Sequence, residues 1–136
     1  METAAATPHF GIAWLALCVA LAIHAADEAL TDFLSVYNPI VRAIRSRFPF
    51  LPLPTFTFRA WLGGLVVAVL LLVGLSPLAF RGVEWMKPLA IVFGIVMTGN
   101  GLMHLGASLY ARKAVPGVYS APLLLAAAVY LLISVA

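Results

Sequence analysis

Four runs of apolar residues, 10–30, 60–80, 89–110 and 118–135, alternate with connecting stretches, the first of them long, that carry most of the charged positions. Each run is close to the 20 or so residues that cross a hydrocarbon core of about 30 Å, the last being the shortest. Where no water is at hand to satisfy backbone groups, such runs become helices. The pattern therefore predicts an all-α, four-helix transmembrane bundle, with residues 1–136 as a single membrane domain.

The connection between the first two runs has a pattern of its own. Asn38-Pro39 reads as an N-cap followed by proline at the first helical position. Ile40, Val41, Ile44 and Phe48 then recur at helical spacing, with Arg42, Arg45 and Arg47 mostly off that face. This predicts a short interfacial helix over 39–48, lying between the first and second spans. Pro49, Pro52 and Pro54 forbid its continuation, so 50–58 should run extended until Arg59 and Trp61 mark re-entry. Further on, Gly94, Gly99, Gly101, Gly106 and Ala107 give the third span a small face suited to close helix approach. Pro116-Gly117 reads as a tight turn into the fourth span. Trp14, Tyr37, Trp61, Trp85, Tyr110 and Tyr119 fit an interfacial belt near span ends.

Composition agrees with the pattern. Of 136 residues 64% are hydrophobic and 10% charged, with a mean hydropathy of +1.08, against about 25% charged in soluble domains. The formal charge of +3 comes mostly from arginines between the runs, which suits headgroup contact, and no basic patch or motif points to nucleic acid. Cys18, the single cysteine, reads as a small buried apolar residue. The first run reads as a span rather than a secretory leader, because nothing before Phe10 is positively charged and the apolar stretch is long for a leader. Six basic residues (Arg42, Arg45, Arg47, Arg59, Arg112 and Lys113) lie in the first and third connections, against Arg81 and Lys87 on the other side, which also holds Glu2 and Glu84. That bias predicts cytoplasmic basic connections with both termini outside.

Against this apolar background, His24-Ala-Ala-Asp27-Glu28 places an imidazole and two carboxylates on one helical face. Ionisable groups at such depth cost roughly 2.5–3.5 kcal/mol each on insertion scales and usually face an interior or a wet cavity. Asn100 and His104, at i and i+4 in the third span, form a second polar pair. Spans one and three run in the same direction, and each histidine lies six residues before its span's inner end, or roughly 9 Å at 1.5 Å per residue. The two pairs therefore share one layer, which predicts that the first and third spans pack together around it. Such a layer could hold a divalent metal such as zinc or iron through His24, Glu28 and His104. It could act without metal as an acid–base or ligand site. It could also be a hydrogen-bond network that only holds helices together. His9, at the other end of the first span, reads as an interfacial residue.

These residues carry a resemblance. His24-Ala-Ala-Asp27-Glu28 closing the first span, Asn100-x-x-x-His104 in the third and Pro116-Gly117 opening the fourth resemble the HXXEE family of small membrane proteins, over nearly the whole chain. Asp27 stands where the motif has its first Glu, which makes Glu28 the better ligand. The resemblance implies a shared polar site, and it leaves the chemistry open.

The expectation is a membrane-embedded enzyme acting on a lipid or other apolar substrate. His24, Glu28 and His104 would then bind metal or share acid–base duty, Asn100 would orient an imidazole or polarise the substrate, and Asp27 would support them. The rivals are a carrier for protons, cations or a small solute, which would need to form a homo-oligomer, and a structural membrane subunit.

Overall fold

The structure, a computed structural model, describes residues 8–136, so Glu2 of the charge argument lies outside it. The described residues are helical and contain no strand: α1 Pro8–Leu30, α2 Phe33–Arg47, α3 Phe58–Gly74, α4 Ser76–Phe80, α5 Met86–Ala111 and α6 Ala121–Val135. Three helical stretches are long and apolar enough to cross a membrane: Pro8–Leu30, Phe58–Phe80 and Met86–Ala111. The last helix, Ala121–Val135, is apolar but only 15 residues long. The start expected at residue 118 is lost because Pro116–Ser120 form a turn held open by Gly117, whose φ is +83°.

α1 is the central element and packs on α6, α4 and α3. Ala13, Trp14, Leu17 and Cys18 are fully enclosed, meeting Leu124, Leu131, Met86 and Ala90 in one core. The first and third spans meet as expected through long side chains, Trp14 on Phe93 and His24 and Glu28 on His104, but not by close backbone approach. α5 packs chiefly on α6, and α6 packs on α1. Glycine explains the choice: Gly94 lies against Leu132, and a Cβ at Gly101 would sit 3.2 Å from the Ala121 carbonyl oxygen. Gly99 and Gly106, part of the same predicted small face, have nothing within 4 Å. Close packing without a hydrophobic driving force depends on such absent side chains.

Trp14 is not an interfacial residue. It is fully buried, edge-on to Phe93 at 5.4 Å, and its indole N–H donates to the Leu72 carbonyl at 2.9 Å. That bond gives a buried indole the partner it needs and ties α1 to α3. The span expected over 60–80 is matched by Phe58–Phe80, with its helix interrupted at Leu75, since Pro77 has no N–H to offer the preceding turn. Besides this tie, Val69 and Leu72 of α3 pack against the core, while Val66, Val67, Leu70 and Leu71 face outward.

A helix does cover most of 39–48, where an interfacial one is expected, but it starts earlier and ends at Arg47. α2 begins at Phe33, after a turn in which Asp32 takes a left-handed conformation (φ 59°), and Pro39 lies inside it. Proline is tolerated there because Ser35, whose carbonyl loses its partner, lies on the outward side, as does Pro39. Asn38 is no N-cap. Its amide grips the returning chain at both backbone atoms of Phe56, donating to the carbonyl at 2.9 Å and accepting from the N–H at 3.0 Å. Tyr37 adds a bond to the Pro54 carbonyl at 3.1 Å. The proline-bearing segment thus runs back along α2 until Thr57 caps α3 by accepting from the Ala60 N–H.

Candidate functional site

The last two turns of α1 carry His24, Asp27 and Glu28, and the second half of α5 carries Asn100 and His104. The loop from Arg112 to Ser120 closes over them. Three of its N–H groups are taken up by side-chain oxygens of α5, of α1 and of Thr31 just after it. Val115 N–H donates to Ser108 Oγ at 3.0 Å, Gly117 N–H to Thr31 Oγ1 at 3.3 Å, and Ser120 N–H to Asp27 Oδ2 at 2.8 Å.

His24, Glu28 and His104 come together as a buried group, with relative exposures of 1%, 6% and 3%. Glu28 Oε1 lies 3.1 Å from His104 Nε2 and 3.6 Å from His24 Nε2. One ligand atom from each of the three residues lies within 4.8 Å of the others. The imidazoles meet edge-on, with ring centroids 4.8 Å apart.

The hydrogen bonds place a proton on Nδ1 of each imidazole. His104 Nδ1 lies 2.7 Å from the Pro116 carbonyl, which can only accept, so Nδ1 bears the hydrogen. The Ser120 hydroxyl has one hydrogen, and its shortest acceptor is the Asp27 carboxylate at 2.7 Å, with the Gly117 carbonyl more distant at 3.3 Å. Ser120 Oγ therefore accepts from His24 Nδ1–H at 2.8 Å. Both Nε2 atoms are left buried and without a hydrogen-bond partner. With neutral imidazoles they turn lone pairs toward the Glu28 carboxylate; with His104 protonated, its Nε2–H donates to Glu28 Oε1 across 3.1 Å.

Of the residues read from sequence, the other two do not join this triad. Asp27 is engaged by Ser120 through two bonds. Asn100 is half-buried, and its Oδ1 is enclosed with no partner. It makes no bond to an imidazole; the expected orienting role toward His104 falls to Pro116. Asp32, which extends the same face of α1 in the sequence, sits in the outward turn before α2.

Four residues carry parts that the pattern did not assign. Ser120 and Pro116 orient the two imidazoles, and a backbone carbonyl has no sequence signature at all. Ser120, standing just before the apolar run of α6, has the look of an N-cap, and that signal could have marked it. Gly117 is needed twice: for its positive φ, and because a Cβ there would lie 2.7 Å from His104 Cε1 and 3.0 Å from Glu28 Cγ. Phe33 covers the site from α2, its ring 5.9 Å from His104 and stacked on Trp61 at 5.7 Å.

A family model described as "Protein of unknown function with HXXEE motif" matches residues 14–131. The match takes in the whole buried cluster and the loop above it. No curated protein and no solved structure matches the chain.

Proposed function

The chain belongs to the HXXEE family, and from that premise we propose that it is a membrane-embedded enzyme whose His24, Glu28 and His104 hold a divalent metal ion. The observation that carries this reading is the pair of bare, buried Nε2 atoms turned on one carboxylate. Two imidazoles and a carboxylate are the donor set of catalytic zinc sites and of ferrous oxygenase sites. Ligand bonds of about 2.1 Å at tetrahedral angles put donors about 3.4 Å apart; the two contacts to Glu28 Oε1, 3.1 and 3.6 Å, are near that, and the set as a whole, within 4.8 Å, would draw together around an ion.

Charge favours the same reading. With neutral imidazoles, the ionised Glu28 and Asp27 would leave two negative charges at membrane depth, which a divalent cation balances. The ion would supply Lewis acidity and an open coordination position. The chain's own residues would do the rest: Pro116 and Ser120 aim the imidazoles, Phe33 excludes water, and the unpartnered Asn100 Oδ1 accepts from, or orients, a substrate polar group one turn away.

We place this site in a four-helix transmembrane bundle of one domain, with α6 as the short fourth span and α2 lying in the inner interface. The basic connections are cytoplasmic and the termini outside. Leu102 and Met103, which precede His104 on α5, face outward, so the substrate in this reading is a lipid or other apolar molecule arriving from the bilayer.

One contact favours a second reading. At 3.1 Å, Glu28 and His104 are also spaced as an acid–base pair that needs no metal. Elemental analysis of the purified protein beside His24→Ala and His104→Ala separates the two. Stoichiometric zinc or iron in the wild type, absent from both variants, is the expected result. A folded wild type without metal, with an ordered lipid-like molecule beside Glu28, would support the acid–base pair. Continuous water through the bundle would support a carrier.

A further inference from the structure

We propose that Asp27 and Ser120 are positioning residues of the metal site, acting on it through His24; the proposal rests on the metal reading above. Asp27 occupies the first acidic position of the motif, yet it stands outside the triad of converging donors. Its carboxylate instead accepts from the Ser120 hydroxyl at 2.7 Å, and that hydroxyl accepts from His24 Nδ1–H at 2.8 Å. A carboxylate, a hydroxyl and an imidazole thus stand in line behind the bare Nε2. A ligating histidine whose other nitrogen is held this way is fixed in tautomer and ring angle and becomes a more basic donor.

The two histidines are held differently. His104 leans on a neutral carbonyl, whereas His24 leans, through one oxygen, on a negative charge. In a medium that penalises net charge this matters, because Glu28 alone would leave a bound divalent ion with one uncompensated positive charge. Asp27 supplies the second negative charge without occupying a coordination position, which stays free for substrate.

Asp27 also accepts the Ser120 backbone N–H at 2.8 Å, just ahead of α6. That bond holds the head of α6 to α1 without involving His24. Ser120→Ala keeps the backbone bond and deletes the hydroxyl bridge, so it divides the two roles. The experiment measures the affinity of detergent-purified wild type, Ser120→Ala, Ser120→Thr and Asp27→Asn for Co²⁺ by chelator competition, together with the visible absorption of the bound cobalt.

The expected result is a 10–100-fold weaker affinity and a shifted cobalt spectrum in Ser120→Ala. Ser120→Thr should restore both, and Asp27→Asn should weaken binding with the fold retained. If wild type binds cobalt and Ser120→Ala matches it in affinity and spectrum, the positioning role is overturned while the metal reading stands. Should Ser120→Ala fail to fold, Asp27→Asn decides, and unchanged cobalt affinity there overturns the proposal. If wild type binds no metal at all, the metal reading falls first and this inference falls with it.

Discussion

The imidazoles of His24 and His104 meet edge-on with centroids 4.8 Å apart and an interplanar angle of 79°. They come from helices that do not pack chiefly on one another. What joins them is the loop at the head of α6, which gives Pro116 to one ring and Ser120 to the other.

Glu28 separates chemistry from helix glue. Glu28→Gln keeps the shape and removes a buried charge, so stability should hold or rise, while metal affinity should fall at least tenfold. Thermal unfolding and metal content of the purified variant check both. A misfolded Glu28→Gln beside a well-packed Glu28→Leu would make the site a stability element.

Gly117→Ala should destabilise strongly. The left-handed backbone alone costs roughly 1–2 kcal/mol, and the added Cβ would sit 2.7 Å from His104 Cε1. Gly106→Ala, with nothing within 4 Å, should be neutral or stabilising by up to about 1 kcal/mol. Unfolding midpoints in the same detergent compare the pair, and equal losses would contradict the close approach at Gly117.

Asn38→Ala removes both bonds to Phe56 and should free the segment between α2 and α3. Limited proteolysis should cut between Phe48 and Thr57 several-fold faster than in wild type. Global stability should change by about 1 kcal/mol or less, because the clamp lies at the surface. Unaltered cleavage would show that the prolines alone hold this segment.

Topology is tested by single cysteines at Ser46 and Glu84 in a Cys18→Ala background, labelled with a membrane-impermeant maleimide. Ser46→Cys should react only from the cytoplasmic side and Glu84→Cys only from outside. Reaction of both from one side would end the four-span arrangement.

The long helices and the polar layer are legible because both rest on spacing. Apolar runs of span length and polar residues four apart leave a pattern in one dimension. Trp14 shows where spacing fails: a tryptophan near a span end looks like a belt residue until the carbonyl of Leu72 arrives from another helix. Asn38-Pro39 misleads for a related reason. A strong local signal for a helix start is overridden by a tertiary clamp on Phe56. The loop's part in the site stays hidden because Pro116 acts through its main chain and Gly117 through an atom it lacks.

At 1.5 Å per residue, α6 is about 22 Å long, some 8 Å less than a typical hydrocarbon core. A bilayer meets such a mismatch by thinning, or the protein meets it by letting irregular chain dip below the headgroups. The loop ahead of α6 is equipped for the second course, since Val115, Gly117 and Ser120 each give their N–H to a protein oxygen. In the four-span arrangement proposed above, the shortfall would make the loop a re-entrant floor, bringing the edge of the aqueous phase down toward His24 and His104.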